Sequence, residues 1–539
     1  MAHSQKESSL RFPFAAAAAV FVIGLALHVF LSALSVRWGY VPDHFDEISF
    51  GLTAREQGLL RVYSIEKEQN AWVDGQVYVN GGFSSYRRQG FHRLNYPPLY
   101  VLINYLQVGV LDALEARDPA IIANTFGARL VMSSASVSAE LLLAVGVMLL
   151  AWDLFGRRAG LIAGAVSWLF PPFAMNSSFW GQVDAFFLAP MVFLIFSMLR
   201  RRWVWAGLCF ALGALLKPQG VLLAPIILFG AVAVEEQGGR LTVATVAARL
   251  GKMLGTALLA GVIITSPWLL TSGTAWLERT YGTSYFEAFP RTTLKAFNIW
   301  YVDLLRLDAR PEFSSLDSQS TVAGLSKDSW GRLLILAALV ASAVLSLRRY
   351  GRSPKALVIF SALWLWSVYI WPTRAHERFI VYCMPLVIVL AVGCRRFLPA
   401  VTALALLGIA AHTHNLWLKV PAGSFEAQSV ERYYEIVSAR WREVAASTPG
   451  FSVSPPTRDD AARHYWQQYR QLRPPFATRE LAITILSLAA YLWTVVAAAW
   501  GGGQDSSASP KKPGARVPPQ SHPRRGRPRR RRPRLPYVG

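Results

Sequence analysis

Hydrophobic runs separated by short polar turns make up most of this chain. From Phe12 to Val36 the only ionisable residue is His28. At roughly 1.5 Å of rise per residue, a helix of this length crosses about 30 Å of hydrocarbon. The apolar region of a signal peptide is usually shorter, so the pattern predicts a retained first membrane span.

Eleven further runs have the same character, and together they predict an all-α, polytopic helical bundle of about twelve spans. Several are shorter than the usual twenty or so residues and fit only inside a bundle of many helices. The further runs lie at about 130–152, 159–175, 185–199, 203–216, 219–234, 245–270, 331–347, 356–372, 379–394, 397–416 and 481–500.

The run from Leu99 to Leu111 follows Tyr96-Pro97-Pro98 and is too short for a full crossing, so we expect an interfacial or re-entrant helix on the outer surface. With this run outside, the Arg-rich turns that follow all face the cytoplasm, as the positive-inside rule requires. Both termini are then cytoplasmic, and the segments 37–128, 272–330 and 419–480 lie on the outer face as loops and juxtamembrane helices.

Composition supports a membrane-embedded protein, because 53% of the residues are hydrophobic and only 16% are charged. We expect a multi-pass protein of the plasma (inner) membrane. The net charge of +23 suggests nucleic acid at first, but 501–539 alone holds eleven Lys and Arg against one acid. Most of the remaining charge lies in short turns, so we expect contact with membrane lipids and no nucleic-acid partner. We predict a membrane-embedded domain over 1–500 and a disordered basic cytoplasmic tail over 501–539.

The polar motifs fall in the other set of turns, at the predicted outer ends of the spans. Asp46 and Glu47 follow the first span, and Asp184 follows Trp180-Gly181-Gln182. Paired carboxylates there could serve as a general base, as metal ligands or as a solvated cap. A carboxylate at the position of Asp184 costs a few kcal/mol unless it is satisfied, which indicates a function.

Cationic residues occupy two other outer turns. Lys217, in Lys217-Pro218-Gln219, runs against the orientation rule and is placed to hold a phosphate, although a snorkelling lysine is the plain alternative. Arg374, His376 and Arg378 surround Glu377 in one turn, which suits phosphate recognition, with helix capping and headgroup contact as the structural alternative.

Other residues carry weaker signals. Asn298 and Trp300 lie in an aromatic patch that suits sugar stacking or an interfacial belt. His28 and Glu140 lie within spans, and we expect them to bind each other across two helices. The three cysteines lie in apolar runs and are expected to serve as packing residues.

Six motifs in order resemble the GT-C integral-membrane glycosyltransferases, and most closely bacterial relatives of the PIG-V type mannosyltransferases, which use polyprenyl-phosphate sugars. The resemblance covers about residues 12–400, with Phe379 where the family often has Tyr, and nothing beyond 419 matches. The motifs are Asp46-Glu47, Tyr96 to Leu99, Trp180 to Asp184, Leu216 to Gln219, Phe297 to Trp300 and His376 to Phe379.

The resemblance implies inverting transfer of a hexose, mannose above all, from a polyprenyl-phosphate donor to a lipid or glycan acceptor. Asp46 would be the general base with Glu47 as its neighbour, and Asp184 would orient the acceptor or a metal. The donor phosphate would be bound by Lys217, Gln219, Arg374, His376 and Arg378. The substrate would contact Tyr96, Gln182, Asn298, Trp300 and Glu377. No cofactor is certain, and a divalent ion, Mg or Mn, stays open.

Two other functions fit the sequence less well. A polytopic transporter would place its ionisable residues near the midplane, often in two matching halves. A protein O-glycosyltransferase of the same superfamily would share the donor chemistry and differ in the acceptor.

Overall fold

A computed structural model provides the fold. It describes residues 14–39, 41–64, 74–79, 82–87, 94–115, 125–235, 241–287, 292–302, 318, 320–417, 430–447, 454–462 and 477–500. The predicted all-α, polytopic architecture is confirmed: helices dominate the described residues, and strands form only two short antiparallel hairpins. The predicted basic tail and much of 419–480 lie outside the described residues.

The helices follow one another along the chain with short connections. They are α1 (Phe14–Trp38), α2 (Val41–Gln57), α3 (Pro98–Glu115), α4 (Phe126–Phe155), α5 (Arg157–Trp168), α6 (Pro171–Ala174), α7 (Ala185–Leu199), α8 (Trp203–Leu216), α9 (Ala224–Ala233), α10 (Val243–Ser272), α11 (Ala275–Leu277), α12 (Lys327–Tyr350), α13 (Pro354–Ile370), α14 (Met384–Gly393), α15 (Leu398–Trp417), α16 (Val430–Ser447) and α17 (Ala477–Trp500).

Tighter and wider turns and the two hairpins complete the described structure. Two π-helices span Met175–Trp180 and Glu278–Glu287, and three 3₁₀ turns span Pro218–Leu223, Glu377–Tyr382 and Arg395–Phe397. The hairpins pair β1 (Asp74–Val79) with β2 (Gly82–Arg87) and β3 (Thr321–Val322) with β4 (Leu325–Ser326).

Helix ends follow from local sequence. Thr125, Ser326 and Ser353 each accept a hydrogen bond from a backbone N–H in the first turn of the helix that follows, which satisfies a donor otherwise without a partner. Gly156 and Gly351 end α4 and α12 with positive φ, which a residue with a Cβ adopts only with strain.

Seven described helices are long and apolar enough to cross a membrane, and five shorter apolar helices accompany them. The chain is therefore a multi-pass membrane protein. Some details differ from the sequence prediction. The run beginning at Leu99 is an eighteen-residue helix, α3, because Pro98 starts it and Asp112 and Glu115 extend it beyond the apolar stretch. The expected span 379–394 is instead a 3₁₀ turn followed by the ten-residue α14, with Cys383 between them.

The basic turns meet at one end of the bundle. Arg200, after α7, forms an ion pair of 2.7 Å with Asp153 near the end of α4. Arg396, before α15, donates to the hydroxyl of Tyr350 at the end of α12, and that hydroxyl donates to the Ala498 carbonyl oxygen of α17. The predicted grouping of these turns is therefore present, and the cytoplasmic assignment of this end stays a prediction.

The core lies where α13 and α14 pass between the other helices, since nearly every side chain of both is buried. By contrast, α10 and α12 keep most of their apolar side chains exposed, as helices that face lipid do. Within the bundle, the Nε2 atom of His28 lies 3.3 Å from Glu140, which confirms the expected contact between α1 and α4.

Candidate functional site

Asp184 lies at the centre of a buried polar cluster at the end opposite the basic turns. Its side chain is fully buried and forms an ion pair with Lys217, which is equally buried. The Nδ2 atom of Asn176 donates to its Oδ2 atom over 3.1 Å, and the Nε atom of Arg378 lies 3.7 Å from the same oxygen. Three motifs that are distant in sequence therefore meet at one carboxylate.

Charge determines how these groups titrate. Burial alone would raise the pKa of Asp184, but the positive charges of Lys217 and Arg378 outweigh it and lower that pKa. Burial lowers the pKa of the Lys217 ammonium to about 8, although the negative charge of Asp184 acts to raise it. Since Arg378 is always protonated, Asp184 stays ionised at neutral pH.

Local structure places Asp184 in this position. The π-helix Met175–Trp180 ends at Gly181, whose φ of 88° lies in the left-handed region, and the Asn176 carbonyl oxygen accepts a hydrogen bond from the Gln182 amide. A residue with a Cβ would be strained at this φ. The turn directs Trp180 and Gln182 towards α2 and lets Asp184 begin α7.

Asp43 joins α2 to this turn, and the sequence prediction missed its importance. Its Oδ2 atom accepts hydrogen bonds from the Nε1 atom of Trp180 at 2.9 Å and from the Nε2 atom of Gln182 at 2.5 Å. One signal was available: Asp43 and Glu47 are four residues apart, so a helix brings them to the same face. The sequence prediction emphasised Asp46 and Glu47 because they are adjacent.

Glu47 belongs to α2, and its side chain is buried beside Tyr100 and Arg129. Burial raises the pKa of the Glu47 carboxyl well above its usual range, and the negative charges of Asp43 and Asp46 raise it further, against the effect of Arg129. These effects favour the protonated form of Glu47. Arg129, at the start of α4, had no signal in the sequence, because it lies in no polar motif.

Tyr96 and Asp46 lie close to Glu47. The ring of Tyr96 is stacked on Tyr100 with 4.1 Å between ring centroids, and its backbone carbonyl accepts a hydrogen bond from the Tyr63 hydroxyl. Asp46 is half-buried on α2, and its charge acts on Glu47. Both residues therefore lie at the site, and their predicted roles stay predictions.

The residues Asn298 and Trp300 hold two segments together. Asn298 is fully buried, and its side-chain amide donates to the carbonyl oxygens of Tyr369 and Pro372. The ring nitrogen of Trp300 donates to the carbonyl oxygen of Trp371. These contacts fix the segment 292–302 on the end of α13. The polar atoms of both side chains thus bind protein backbone, and their substrate contact stays a prediction.

Arg374, His376 and Glu377 lie where those two segments pair. Leu294 and Lys295 form bridges with His376, and the Leu294 amide donates to the Ala375 carbonyl oxygen at 3.0 Å. Lys295 and Arg374 both have positive φ, 67° and 62°. Strained backbone of this kind occurs often at functional sites, and it adds Lys295, missed by the sequence prediction, to the cations there.

Exposure divides the predicted phosphate-binding residues into two groups. Lys217 is fully buried and Arg378 nearly so, whereas Arg374, His376 and Gln219 are only partly buried. Glu377 is buried, with one carboxylate oxygen 3.8 Å from the Nδ1 atom of His376. A ligand arriving from outside the protein therefore meets Arg374 and His376 first.

Two amide oxygens at the site remain available. The Oε1 atoms of Gln182 and Gln219 are buried and have no hydrogen-bond partner among the described residues. A buried acceptor without a partner is costly, so a ligand hydroxyl or a water would be bound there favourably. No group of three or more His, Cys, Asp or Glu in the described ranges has a metal-binding arrangement.

The chain resembles a few solved structures only weakly, and no family model or curated protein matches it. ArnT from Cupriavidus metallidurans in the apo state is 14% identical with a TM-score of 0.40, covering 90% of this chain and 77% of that one. Its undecaprenyl phosphate-bound structure is 15% identical with a TM-score of 0.34, covering 90% and 76%. Archaeal oligosaccharyltransferase AglB from Archaeoglobus fulgidus, in complex with an inhibitory peptide and a dolichol-phosphate, is 13% identical with a TM-score of 0.31, covering 89% and 56%.

Proposed function

We propose that this protein is an inverting membrane glycosyltransferase that moves a hexose, mannose above all, from a polyprenyl-phosphate donor to a hydroxyl of a lipid or glycan acceptor. The observation that carries the proposal is the convergence of Asp43, Gln182, Asp184, Lys217 and Arg378 at one end of an apolar helical bundle. Acids and cations in one buried site suit a reaction that removes a proton and releases a phosphate.

The chemistry needs one proton acceptor. The acceptor oxygen attacks the anomeric carbon of the donor, the bond from that carbon to the phosphate oxygen breaks, and the hydroxyl proton passes to a carboxylate. Burial and the neighbouring acids raise the pKa of Glu47 and favour its protonated form, so it is not our choice of proton acceptor. The Oδ2 atom of Asp43 already accepts hydrogen bonds from Trp180 and Gln182, which positions this carboxylate against the turn rather than towards an acceptor. Asp46 is the remaining acid in the first two turns of α2, and we assign it the role of general base.

The leaving polyprenyl phosphate needs positive charge where negative charge develops. Arg374 and His376 are partly exposed and suit direct contact with the phosphate, with Gln219 as a further hydrogen-bonding group. Arg378 and Lys217 lie deeper, against Asp184, and provide fixed positive charge behind that contact. Preorganised charge in a pocket of low dielectric constant stabilises the leaving group without reorganisation.

The remaining roles concern the substrate. Gln182, through its available oxygen, would accept a hydrogen bond from a sugar hydroxyl, and the ring of Tyr96 would contact the sugar. Asp184, held by two cations, would maintain the geometry of the site. A lipid-linked donor also requires a path along the membrane, which a polytopic bundle supplies. We place the site on the outer face of the plasma membrane, with both termini in the cytoplasm.

Two alternatives share parts of these observations. A protein O-glycosyltransferase of the same superfamily would use the same donor groups with a peptide hydroxyl as the acceptor. A transporter is less well supported, because the clustered acids and cations lie at helix ends, whereas transporters usually place such sites near the bilayer midplane.

The test supplies the purified protein, in vesicles, with labelled polyprenyl-phosphate mannose or glucose and a membrane-lipid extract or a synthetic hydroxyl acceptor. We expect transfer from the mannose donor, with inversion at the anomeric carbon of the product. Absence of transfer from both donors to lipid, glycan and peptide acceptors would refute the proposed function. Transfer to peptide alone would favour the protein O-glycosyltransferase.

A further inference from the structure

His412 on α15 lies fully buried behind the acidic cluster, and the proposed chemistry makes no use of it. Its Nε2 atom is 2.9 Å from the Oδ1 atom of Asn176, and its Nδ1 atom is 2.6 Å from the Gly408 carbonyl oxygen. The ring of Trp180 meets the imidazole edge-on, with 5.5 Å between ring centroids. His412 therefore contacts two residues of the π-helix that positions the site.

The orientation of the Asn176 amide follows from charge. Its Nδ2 atom donates to Asp184, which is ionised beside Lys217 and Arg378, so its Oδ1 atom must face His412. The Nε2 atom of His412 is then the donor in that contact. Because the Nδ1 atom also faces a carbonyl oxygen, both contacts are hydrogen bonds when both ring nitrogens carry a proton. Rotating the imidazole by 180° would place ring carbons against both oxygens, which fixes the ring as well.

We infer that His412 is a positioning residue for the site. Its Nε2–H holds the Asn176 amide, and that amide in turn holds the carboxylate of Asp184 against Lys217. Asp184 can thereby keep one orientation although it is approached by two cations. The role rests on the proposed function for its effect on turnover, but the hydrogen-bonded chain itself can be measured without substrate.

Charged groups on other elements lie near the His412 ring. Asp184 and Glu377 contribute negative charge near His412, and Arg378 contributes positive charge. On α15 itself, only the Gly408 carbonyl oxygen contacts the ring among the hydrogen bonds of the described residues. The contact to Asn176 is therefore the one that links α15 to the site.

Two substitutions separate the contacts of the ring. His412→Gln places an amide nitrogen near the position of Nε2 and can still donate to Asn176. His412→Asn places its amide near the position of Nδ1 and loses the reach to Asn176. A residue that merely supports its own helix would favour the Asn variant, whereas a positioning residue favours the Gln variant.

The first measurement is hydrogen exchange of the full-length protein without substrate. It follows the backbone N–H of Gln182, which donates to the backbone carbonyl oxygen of Asn176. We expect faster exchange in His412→Asn than in the wild type, and near wild-type exchange in His412→Gln. Equal exchange in the two variants would overturn the inference. This measurement stands even if the wild type transfers no sugar, in which case only the proposed function fails.

The second measurement is turnover with the lipid-linked donor. We expect kcat to fall about tenfold or more in His412→Asn, since a hydrogen bond to a buried polar network is lost, with KM for the donor little changed. His412→Gln should stay within about threefold of the wild type. A uniform loss in both variants, or a change in KM alone, would contradict a positioning role.

Discussion

Asp43 and Asp46 lie on the same helix, and we propose different roles for them, which can be tested. Asp46→Asn should reduce kcat by about a hundredfold or more, because general base catalysis contributes on that order. Asp43→Asn should reduce it by about tenfold, because one oxygen can still accept a hydrogen bond from Trp180 or Gln182. Initial rates of sugar transfer give both values.

The matched control is Asp112→Asn, which removes a partly exposed acid paired with Arg55 at the far end of α3. It should leave kcat unchanged. If Asp43→Asn abolished transfer while Asp46→Asn retained it, the base would be Asp43 and our assignment would be wrong.

Glu47 should make the stability of the protein depend on pH. Its pKa in the folded state lies well above the value of 4.5 expected in the unfolded chain, so folding favours its protonated form. The resulting stabilisation is complete below about pH 4.5 and is lost as pH rises towards the folded pKa. The loss is at most about 1.4 kcal/mol per pH unit.

Thermal midpoints measured between about pH 5 and 8 should therefore fall more steeply with pH in the wild type than in Glu47→Gln. Glu56→Gln, at the exposed end of the same helix, serves as the control and should follow the wild type. Parallel curves for the wild type and Glu47→Gln would mean that Glu47 is ionised in the folded protein.

At the residue scale the sequence identified most groups of the site but not their contacts. Asp184 and Lys217 were found because a charge beside an apolar run is costly, yet their mutual ion pair depends on the packing of α7 against α8. Arg129 gave no signal, because it directly precedes a predicted span and no neighbouring residue marks it. The roles of all these residues remain predictions until the variants are measured.

Among the elements, the π-helix at Met175–Trp180 does most to position the site. It directs Asn176 and Trp180 towards different partners, and Gly181 ends it with a left-handed φ. A wide turn of this kind has no reliable sequence pattern, and the prediction continued an ordinary span to about residue 175. The tertiary contacts of α1 and α15 with this turn explain why it forms here.

Replacing Gly181 tests the turn. Gly181→Ala should cost about 1–2 kcal/mol because of the strained φ, although the nearest atom to the new Cβ, Nη1 of Arg129, lies 3.9 Å away. The strain should shift Trp180 and Gln182 and reduce kcat by about tenfold. Measuring the thermal midpoint together with kcat distinguishes the two effects.

Gly324→Ala is the matched control, since Gly324 also has positive φ and has no atom within 4 Å of the Cβ position. It should lower the thermal midpoint by a similar amount and leave kcat unchanged, because it lies in the turn between β3 and β4. A similar loss of kcat in both variants would show that Gly181 acts only through stability.

Across the whole molecule, the pattern of apolar residues predicted the helical architecture well, but it predicted the bounds of the individual membrane spans less well. Long apolar runs such as the first span formed helices where expected, because burial in lipid requires every backbone group to bond within its own helix. Hydropathy could not show that 379–394 is broken by a 3₁₀ turn, since this segment is buried by protein on all sides. Its apolar side chains serve the core instead of the lipid.

The separation of charge between the two ends gives the last prediction, which concerns orientation. Arg200 and Arg396 lie at one end, and Asp43, Lys217 and Arg378 lie at the other. If the basic end is cytoplasmic, as the positive-inside rule requires, the site opens on the outer face. Single cysteines at two exposed positions, Glu56→Cys at the end of α2 and Arg352→Cys at the basic end, would test this in a variant whose three native cysteines are replaced. A membrane-impermeant thiol reagent should label position 56 in intact cells and position 352 only after permeabilisation.

The reverse result would place the site in the cytoplasm and require a donor presented on the inner leaflet. Labelling of both positions from one side would contradict the arrangement of the helices.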